Sequence, residues 1–340
     1  MVFAGEFEQT IQPDAFLVQS RFVFQRNICP LEWICWSLEA FHALSPWVFK
    51  AHHVLNRGTA KMNNEAQIDY WNGPAGQKWV DQSNRLDAML APFADEVLNT
   101  ADIGQSECAL DIGCGAGALT LRAADAAGGT TPSLGVDVSE PLLNLAKKRA
   151  ADAGSSARFQ RADASAFRSD QKFDLMISRF GVMFFEDPEA AFGNIRQQIR
   201  SEGRMAFMCW QKLQVNDWAY APLQAALPLL NEPPEQPDPN APGPFAFADK
   251  DRLADILNAA GWNDVSIDPF ETLVTLPGDD VESSAEFMLK LGPLSRLIAA
   301  QDLDAGPIED ALKNRLRNEI GADGRIAMKS ACWLVTAKAS

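Results

Sequence analysis

The chain has 340 residues, enough for one large domain or two ordinary ones. Its hydrophobic fraction of 47% and charged fraction of 22% are close to globular averages, which argues against collagenous, disulfide-scaffold and disordered classes. The formal charge of -15 argues against a nucleic-acid partner, because such partners require a basic face.

The sequence shows no targeting or metal signal. It contains no uninterrupted apolar stretch of about 18 residues and no cationic signal-peptide start, so it predicts no membrane insertion. Its six cysteines form no C-x-x-C pair and have no histidine nearby at metal-ligand spacing. We therefore expect reduced thiols, a cytoplasmic protein and no metal site.

The first 61 residues differ in composition from the rest. Residues 1–61 hold five basic and five acidic residues, so the whole charge excess of -15 lies in 62–340. They also hold all three histidines and ten of the 31 aromatic residues. Two interpretations remain open: an upstream extension that is not part of a native protein starting at Met62, which the composition favours, or an aromatic docking arm.

From about residue 65, short apolar runs alternate with longer amphipathic ones, which is typical of βα units and a mostly parallel sheet. Seven strands are predicted, at 108–112, 133–138, 157–161, 173–178, 204–210, 265–276 and 326–337. The predicted helices between them lie at 118–127, 140–153, 188–199 and 249–260. The sequence therefore predicts an α/β fold.

Two segments interrupt this series. Closely spaced prolines predict a loop at 227–247, because proline fits neither a helix interior nor a central strand. Residues 278–325, between the sixth and seventh strands, have a helical pattern and are much longer than the usual connection of about two to six residues. We interpret this helical insert as a substrate cap; a purely stabilising addition is the alternative.

A glycine-rich turn follows the first predicted strand in the run ALDIGCGAGALTL, residues 109–121. Asp111 ends the strand, and Gly113, Gly115 and Gly117 precede the next helix. Such glycines let a ligand approach backbone N–H groups at a helix start. With Ala118 the run also satisfies G-x-G-x-x-A, so a nicotinamide-dependent oxidoreductase remains an alternative.

Polar residues end the next three predicted strands. Asp137 follows the loop by twenty residues, the spacing of a carboxylate that accepts from ribose hydroxyls. Asp163 is placed to accept from an adenine amino group or to begin a helical turn. Ser178, Arg179 and Phe180 lie at the end of the fourth strand, at the edge where open α/β sheets bind ligands.

The order and spacing of ALDIGCGAG, GVDVSE, RADA, FDLMISRFGVMFF and EGRMAFMCW resemble the class I S-adenosylmethionine-dependent methyltransferases. Within them, the sequence is similar to the ubiquinone and menaquinone biosynthesis C-methyltransferase group. The resemblance spans roughly residues 62–338 and implies a Rossmann-like, doubly wound sheet of seven strands with an antiparallel seventh strand. It also implies methylation of a small molecule with S-adenosylmethionine as cofactor.

The resemblance further implies a role for each residue of the site. The three loop glycines would surround the methionine part of the cofactor, and Asp111 would bind its amino group. Asp137 would hold the ribose hydroxyls. The adenine would contact Val138, Asp163 and the Ala164 amide, and Ser178 and Arg179 would line the methionine end. Ser201-Glu202-Gly203 replaces the Pro-Gly-Gly of many relatives, which affects a turn only.

The sequence identifies no catalytic residue. Residues from Met62 onward include no histidine, the side chain most often used as a general base. The polar candidates near the predicted cleft are not distinguished by their spacing; they are Tyr70, Glu186, Asp187, Asp217 and Tyr220. Tyr70 and Trp71, on a predicted N-terminal helix, either contact the ligands or pack that helix. A catalytically silent cofactor-binding protein and a homodimer formed through the insert both remain open.

Overall fold

The computed structural model describes residues 64–234 and 238–339. The predicted leader at 1–61 and the alternative start at Met62 lie outside these residues. None of the helices within the described ranges combines the length and the hydropathy that crossing a bilayer requires.

Four short helices precede the sheet. They are α1 (Asn64–Asn72), α2 (Pro74–Asp81), α3 (Ser83–Met89) and α4 (Ala91–Ala101). Proline stands in the first turn of α2 and of α4, where the missing N–H costs no helical hydrogen bond. Helix α4 buries Phe93 and Val97 completely against the sheet. The N-terminal helices are therefore anchored by the core through α4.

The seven strands form one sheet in the order β3-β2-β1-β4-β5-β7-β6. They are β1 (Ala109–Ile112), β2 (Leu134–Asp137), β3 (Arg158–Arg161), β4 (Phe173–Arg179), β5 (Ile199–Trp210), β6 (Trp262–Thr275) and β7 (Ala327–Ala339). Strands β1 to β5 pair in parallel, whereas β7 runs antiparallel to both β5 and β6. This confirms the predicted α/β fold with an antiparallel seventh strand.

Helices connect the strands at both faces of the sheet, as the parallel pairing requires. They are α5 (Ala118–Ala126), α6 (Glu140–Ala153), α7 (Pro188–Arg196), α8 (Asp217–Ala226) and α9 (Lys250–Ala259). Side chains of Ser139, Asp187 and Asp249 accept hydrogen bonds from the first free N–H groups of α6, α7 and α9. These caps fix the starts of the helices that follow β2, β4 and the proline-rich segment.

The boundary between α7 and β5 differs from the prediction. The predicted helix at 188–199 ends at Arg196, and β5 begins at Ile199 rather than at Arg204. Ile199 pairs with Phe173, and the pairing shifts register before it resumes between Leu175 and Arg204. The apolar spacing through Ile195 and Ile199 fits a helix, so tertiary pairing with β4 overrides the local pattern.

The two predicted interruptions take different forms. After a short 3-10 turn at Leu227–Leu229, the described part of 227–247 is irregular, as predicted. The insert between β6 and β7 contains α10 (Val281–Lys290), α11 (Pro293–Gln301) and α12 (Ala305–Leu316), which confirms its helical character. Helices α11 and α12 pack on α8, which follows β5. The role of the insert as a substrate cap remains a prediction.

Candidate functional site

The carboxyl ends of β1, β2 and β4 lie side by side and carry the charged residues of the candidate site. Strand β1 lies between β2 and β4, and Asp111 of β1 pairs two residues before Asp137 of β2 and two residues before Arg179 of β4. Open α/β sheets bind ligands at this edge. The structure thus brings together three of the predicted site residues, with the glycine loop between them.

The start of the glycine loop is held by hydrogen bonds to β2, whereas the middle of the loop is open. The N–H groups of Gly113 and Cys114 donate to the Val136 carbonyl at 2.9 and 3.1 Å. A Cβ at Gly117 would lie 2.7 Å from the Phe159 ring, too close for any other residue. At Gly115, by contrast, a Cβ would meet no atom within 4 Å. The space above Gly115 is therefore available to a ligand.

Asp137 is oriented by backbone groups on both sides of the loop. The Gly115 N–H donates to Asp137 Oδ2 and the Ser139 N–H donates to Oδ1, each at 2.8 Å. Burial raises the pKa of Asp137, while these amide hydrogen bonds oppose the rise. Each carboxylate oxygen retains a lone pair after these bonds, so Asp137 can still accept from ligand hydroxyls.

Asp111 is almost completely buried below the loop. The Thr120 hydroxyl donates to Asp111 Oδ2 at 2.6 Å. Burial raises the pKa of Asp111 to about 7, against the opposing effects of the Thr120 hydrogen bond and the Arg179 charge. A carboxyl group that titrates near neutral pH inside a ligand cleft is typical of a functional site. A cationic ligand group beside Asp111 would favour its charged form.

Arg179 is also buried, and its own partners are distant. Its side chain is 15% exposed; Nη2 lies 3.4 Å from Asp87 Oδ1, and Nη1 lies 3.5 Å from the Leu90 carbonyl. Arg149 holds the other oxygen of Asp87 at 2.8 Å, so Asp87 serves two cations. Burial lowers the pKa of Arg179, yet a guanidinium stays charged. A buried cation with weak partners favours an anionic ligand group nearby.

The remaining predicted residues have mixed surroundings. Ser178 is fully buried, and its hydroxyl donates to the Ile112 carbonyl at 2.7 Å and accepts from Gly181 N–H at 3.2 Å. Both hydrogen bonds of the Ser178 hydroxyl are therefore made with the backbone, away from the open side of the loop. Asp163 accepts from Ser165 N–H at 2.8 Å, as a turn-capping residue does, and also from the Asn64 side-chain amide.

Val138 and Ala164 directly follow the carboxylate residues Asp137 and Asp163 in the chain. Val138 is half-buried and follows Asp137, whereas Ala164 is buried and follows Asp163. The carbonyl of Val138 accepts from Asn72 at 3.0 Å, and the Ala164 carbonyl accepts from Asn194 at 2.7 Å. Both residues thus lie just past the carboxyl ends of β2 and β3.

Helix α1 lies across the ends of β2 and β3. The Asn72 side chain donates to the Val138 carbonyl and accepts from Glu140 N–H, each at 3.0 Å. The Ser139 hydroxyl donates to the Trp71 carbonyl at 2.8 Å. The Trp71 ring meets the edges of Trp79 and Phe184 with centroids 5.5 Å apart, so packing is the role that the structure shows for Trp71.

Tyr70 connects α1 to the insert. Arg296 of α11 donates from Nε to the Tyr70 hydroxyl at 3.2 Å, and its guanidinium carbon lies 5.0 Å from the ring centroid. Of the acidic candidates, Glu186 is exposed and accepts from Asn64 N–H at 2.9 Å, while Asp187 caps α7. These interactions give none of the three a catalytic geometry. Within the described ranges, no cluster of three His, Cys, Asp or Glu side chains could hold a metal ion.

The sequence placed Phe180 at the ligand edge of the sheet but did not indicate its backbone conformation, and it gave Thr120 no role. Phe180 adopts a left-handed backbone conformation with φ of 64°, and its ring stacks on Trp210 at 4.1 Å. Such a conformation for a bulky residue costs on the order of 1–3 kcal/mol and requires support from its surroundings. The spacing of nine residues between Asp111 and Thr120 was available but carries no general signal.

Comparisons with known proteins give the following. Residues 104–260 match a family model described as a methyltransferase domain. An uncharacterized protein of Mycobacterium tuberculosis is 32% identical over 131 residues, or 38% of this chain and 47% of that protein. Nocamycin O-methyltransferase of Saccharothrix syringae is 27% identical over 184 residues, or 51% of this chain and 65% of that protein. This chain therefore spans about half the length of the first of these curated relatives.

A solved structure shares the fold. It is phosphoethanolamine N-methyltransferase 2 of Haemonchus contortus in complex with S-adenosyl-L-methionine, with a TM-score of 0.50 and 14% identity. The similarity covers 80% of this chain and 60% of that chain. At this identity the likeness is one of fold, with the same arrangement of sheet and helices.

Proposed function

We propose that this protein is an enzyme that transfers a methyl group from S-adenosylmethionine to a small organic molecule, because residues 104–260 match a family model described as a methyltransferase domain. The expected α/β fold is confirmed and the expected likeness to methyltransferases is borne out, whereas the C-methyltransferase subgroup stays a prediction; the comparisons give no support to the nicotinamide-dependent alternative. One observation carries the proposal: an open glycine loop lies between a half-buried carboxylate on β2 and a buried carboxylate and cation on β1 and β4.

The described residues fit this cofactor from one end to the other. Asp137, already oriented by two amides, would hold the ribose hydroxyls. The surface of Val138 and Ala164 would receive the adenine, with Asp163 accepting from its amino group once the Asn64 amide gives way. The loop from Gly113 to Gly117 would surround the amino-acid part, whose ammonium and carboxylate suit Asp111 and Arg179. Ser178 supports the loop through Ile112 and Gly181 and would act indirectly.

The protein's contribution to the reaction is positioning and exclusion of water. The bound cofactor supplies a methyl group activated on a sulfonium sulfur. Correct placement of two reacting groups contributes up to about 7–11 kcal/mol, so a base is needed only when the acceptor must lose a proton. Helix α1 and the insert meet at Tyr70 and Arg296 and would cover the site from two sides. We name no catalytic base.

Calorimetry on the full chain tests the proposal. We expect S-adenosylhomocysteine, the product of the cofactor, to bind wild type, and Asp137→Ala to weaken this binding at least about a hundredfold. Asp152→Ala is the control, because Asp152 is 63% exposed and pairs only with Lys148 on its own helix. If the protein binds NADH and does not bind S-adenosylhomocysteine, the methyltransferase assignment is wrong.

The finer assignments are also proposals. The described cysteines Cys108, Cys114, Cys209 and Cys332 are free and buried, which supports a reducing compartment such as the cytoplasm. We propose that 62–340 form the catalytic domain with 278–325 as its substrate cap, and that the acceptor is a small molecule. A homodimer through the insert is testable by light scattering on the full chain.

A further inference from the structure

The turn that follows β4 contains an unusual backbone. Phe180 has φ of 64°, a region that bulky residues rarely enter. The other described non-glycine residues with positive φ are all polar, namely Asp102, Ser106, Glu202, Asp264 and Asp302. The Phe180 N–H donates to the Met208 carbonyl of β5 at 3.0 Å, so its amide is still bonded to the sheet one residue past the end of β4. The chain therefore turns at Phe180, at the edge of the site.

This turn places Gly181 in close contact with the start of the glycine loop, at Ile112 and Gly113. A Cβ at Gly181 would lie 2.3 Å from the Ile112 carbonyl oxygen and 2.7 Å from Gly113 Cα. The Ser178 hydroxyl joins the same two segments, because it donates to the Ile112 carbonyl and accepts from Gly181 N–H. Backbone thus packs on backbone, and a shift of the turn would move Gly113.

The ring of Phe180 packs in an aromatic cluster next to the turn. It stacks on Trp210 with centroids 4.1 Å apart and planes 3° apart, and it meets the edge of Phe93 at 5.1 Å. Trp210 in turn contacts Trp218 of α8 at 4.8 Å. Phe180 is therefore connected through Trp210 to α8, the helix on which the insert packs.

We infer that the left-handed backbone turn at Phe180 positions the amino-acid end of the cofactor, acting through the contact between Gly181 and Gly113. The inference rests on the proposed function. The strand order gives the orientation of the ligand. Because Asp137 of β2 would hold the ribose, the opposite end of an elongated ligand would lie near Gly113 and β4. A change in the turn should therefore alter binding of the amino-acid part and spare the adenosine part.

Two ligands and a short series of full-chain variants test this inference by calorimetry. S-adenosylhomocysteine carries the amino-acid part, whereas 5′-methylthioadenosine lacks it. Phe180→Gly and Phe180→Asn remove the ring but accept a left-handed backbone, so both should keep the wild-type ratio of the two affinities within about twofold. Phe180→Val combines loss of the ring with a β-branched residue that resists this backbone. It should weaken S-adenosylhomocysteine at least about tenfold and methylthioadenosine less than about twofold.

Phe93→Leu is the matched control, because it removes an aromatic ring that contacts Phe180 and leaves the residues of the turn unchanged. It should lower the thermal midpoint and leave the affinity ratio unchanged. Gly181→Ala, whose Cβ would press on Gly113, should reproduce the selective loss of S-adenosylhomocysteine and serves if Phe180→Val does not fold.

Three outcomes would overturn the inference. In the first, the folded Val variant or Gly181→Ala retains the wild-type ratio. In the second, the Gly and Asn variants lose S-adenosylhomocysteine as strongly as the Val variant does, which would assign the effect to the ring alone. In the third, wild type binds neither ligand, in which case the proposed function fails as well.

Discussion

Asp111 provides the sharpest test of the electrostatics of the site. The folded protein holds this carboxyl buried with a pKa of about 7, against an ordinary value of 3.8. Each pKa unit corresponds to about 1.4 kcal/mol, so the ligand-free protein loses up to about 4 kcal/mol of stability when Asp111 must ionise. The loss grows as pH rises, since the unfolded chain releases the proton near pH 3.8 while the folded chain keeps it up to about 7.

Between pH 5.5 and 8 this linkage amounts to about 2 kcal/mol, a range that avoids the sequence pI of 4.7. Asp111→Asn cannot titrate, so wild type should become less stable relative to this variant by about that amount as pH rises. Urea unfolding of both proteins, followed by tryptophan fluorescence at several pH values, measures the difference. The groups that face Asp111 are Thr120, Arg179, Asp137 and Cys114, and all are retained in the variant.

Two further measurements separate this explanation from others. Thr120→Val removes the hydroxyl that donates to Asp111, so it should move the titration to higher pH. Asp152→Asn changes an exposed carboxylate and should leave the pH dependence as in wild type. A constant difference between wild type and Asp111→Asn from pH 5.5 to 8, or one of opposite sign, would refute the reasoning. It would mean that Arg179 keeps Asp111 ionised throughout.

Three other changes have defined outcomes. Gly117→Ala should lower the free energy of unfolding in urea by about 1–3 kcal/mol, because its Cβ would strike the Phe159 ring. Gly115→Ala should lower it by about 1 kcal/mol through backbone strain, but should weaken S-adenosylhomocysteine binding more than Gly117→Ala does. Arg179→Lys should weaken the binding of S-adenosylhomocysteine about tenfold in calorimetry and leave the binding of 5′-methylthioadenosine unchanged, because lysine keeps the charge but lacks the forked donors. An equal loss of affinity for both ligands would contradict the assignment. Asn72→Ala should raise protease cleavage near α1 severalfold, because two hydrogen bonds of about 1 kcal/mol each to the β2 end are lost.

Much of the fold follows from local patterns that a single chain displays. Apolar runs of strand length and amphipathic helices alternate, and parallel pairing then requires the helices to cross between strands. Asp137 and Arg179 were predictable as site residues because strand ends in such sheets share one edge. The start of β5 was not predictable, since Ile199 pairs with Phe173 of β4 ahead of a register shift that leaves no sequence pattern.

The features that shape the site in detail depend on contacts between distant segments. Nothing in the run SRFGV distinguishes Phe180 from an ordinary strand residue, because its left-handed turn is supported by Trp210 and Phe93 far along the chain. The docking of α1 depends on one asparagine, Asn72, which reaches across 66 positions to Val138. Ser178 appeared suited to contact the ligand, yet its hydroxyl is occupied by the backbone.

The distribution of charge along the sheet edge bears on which ligand the glycine loop accepts. A dinucleotide places its pyrophosphate on the loop at the start of the following helix. Here Asp111 lies buried below that loop with a pKa of about 7, and an anionic pyrophosphate beside it would raise the cost of its charged form further. An ammonium group at the same position would lower that cost, while Arg179 next to it complements a carboxylate. The pair of buried opposite charges therefore favours a zwitterionic amino-acid group over a pyrophosphate, independently of family resemblance.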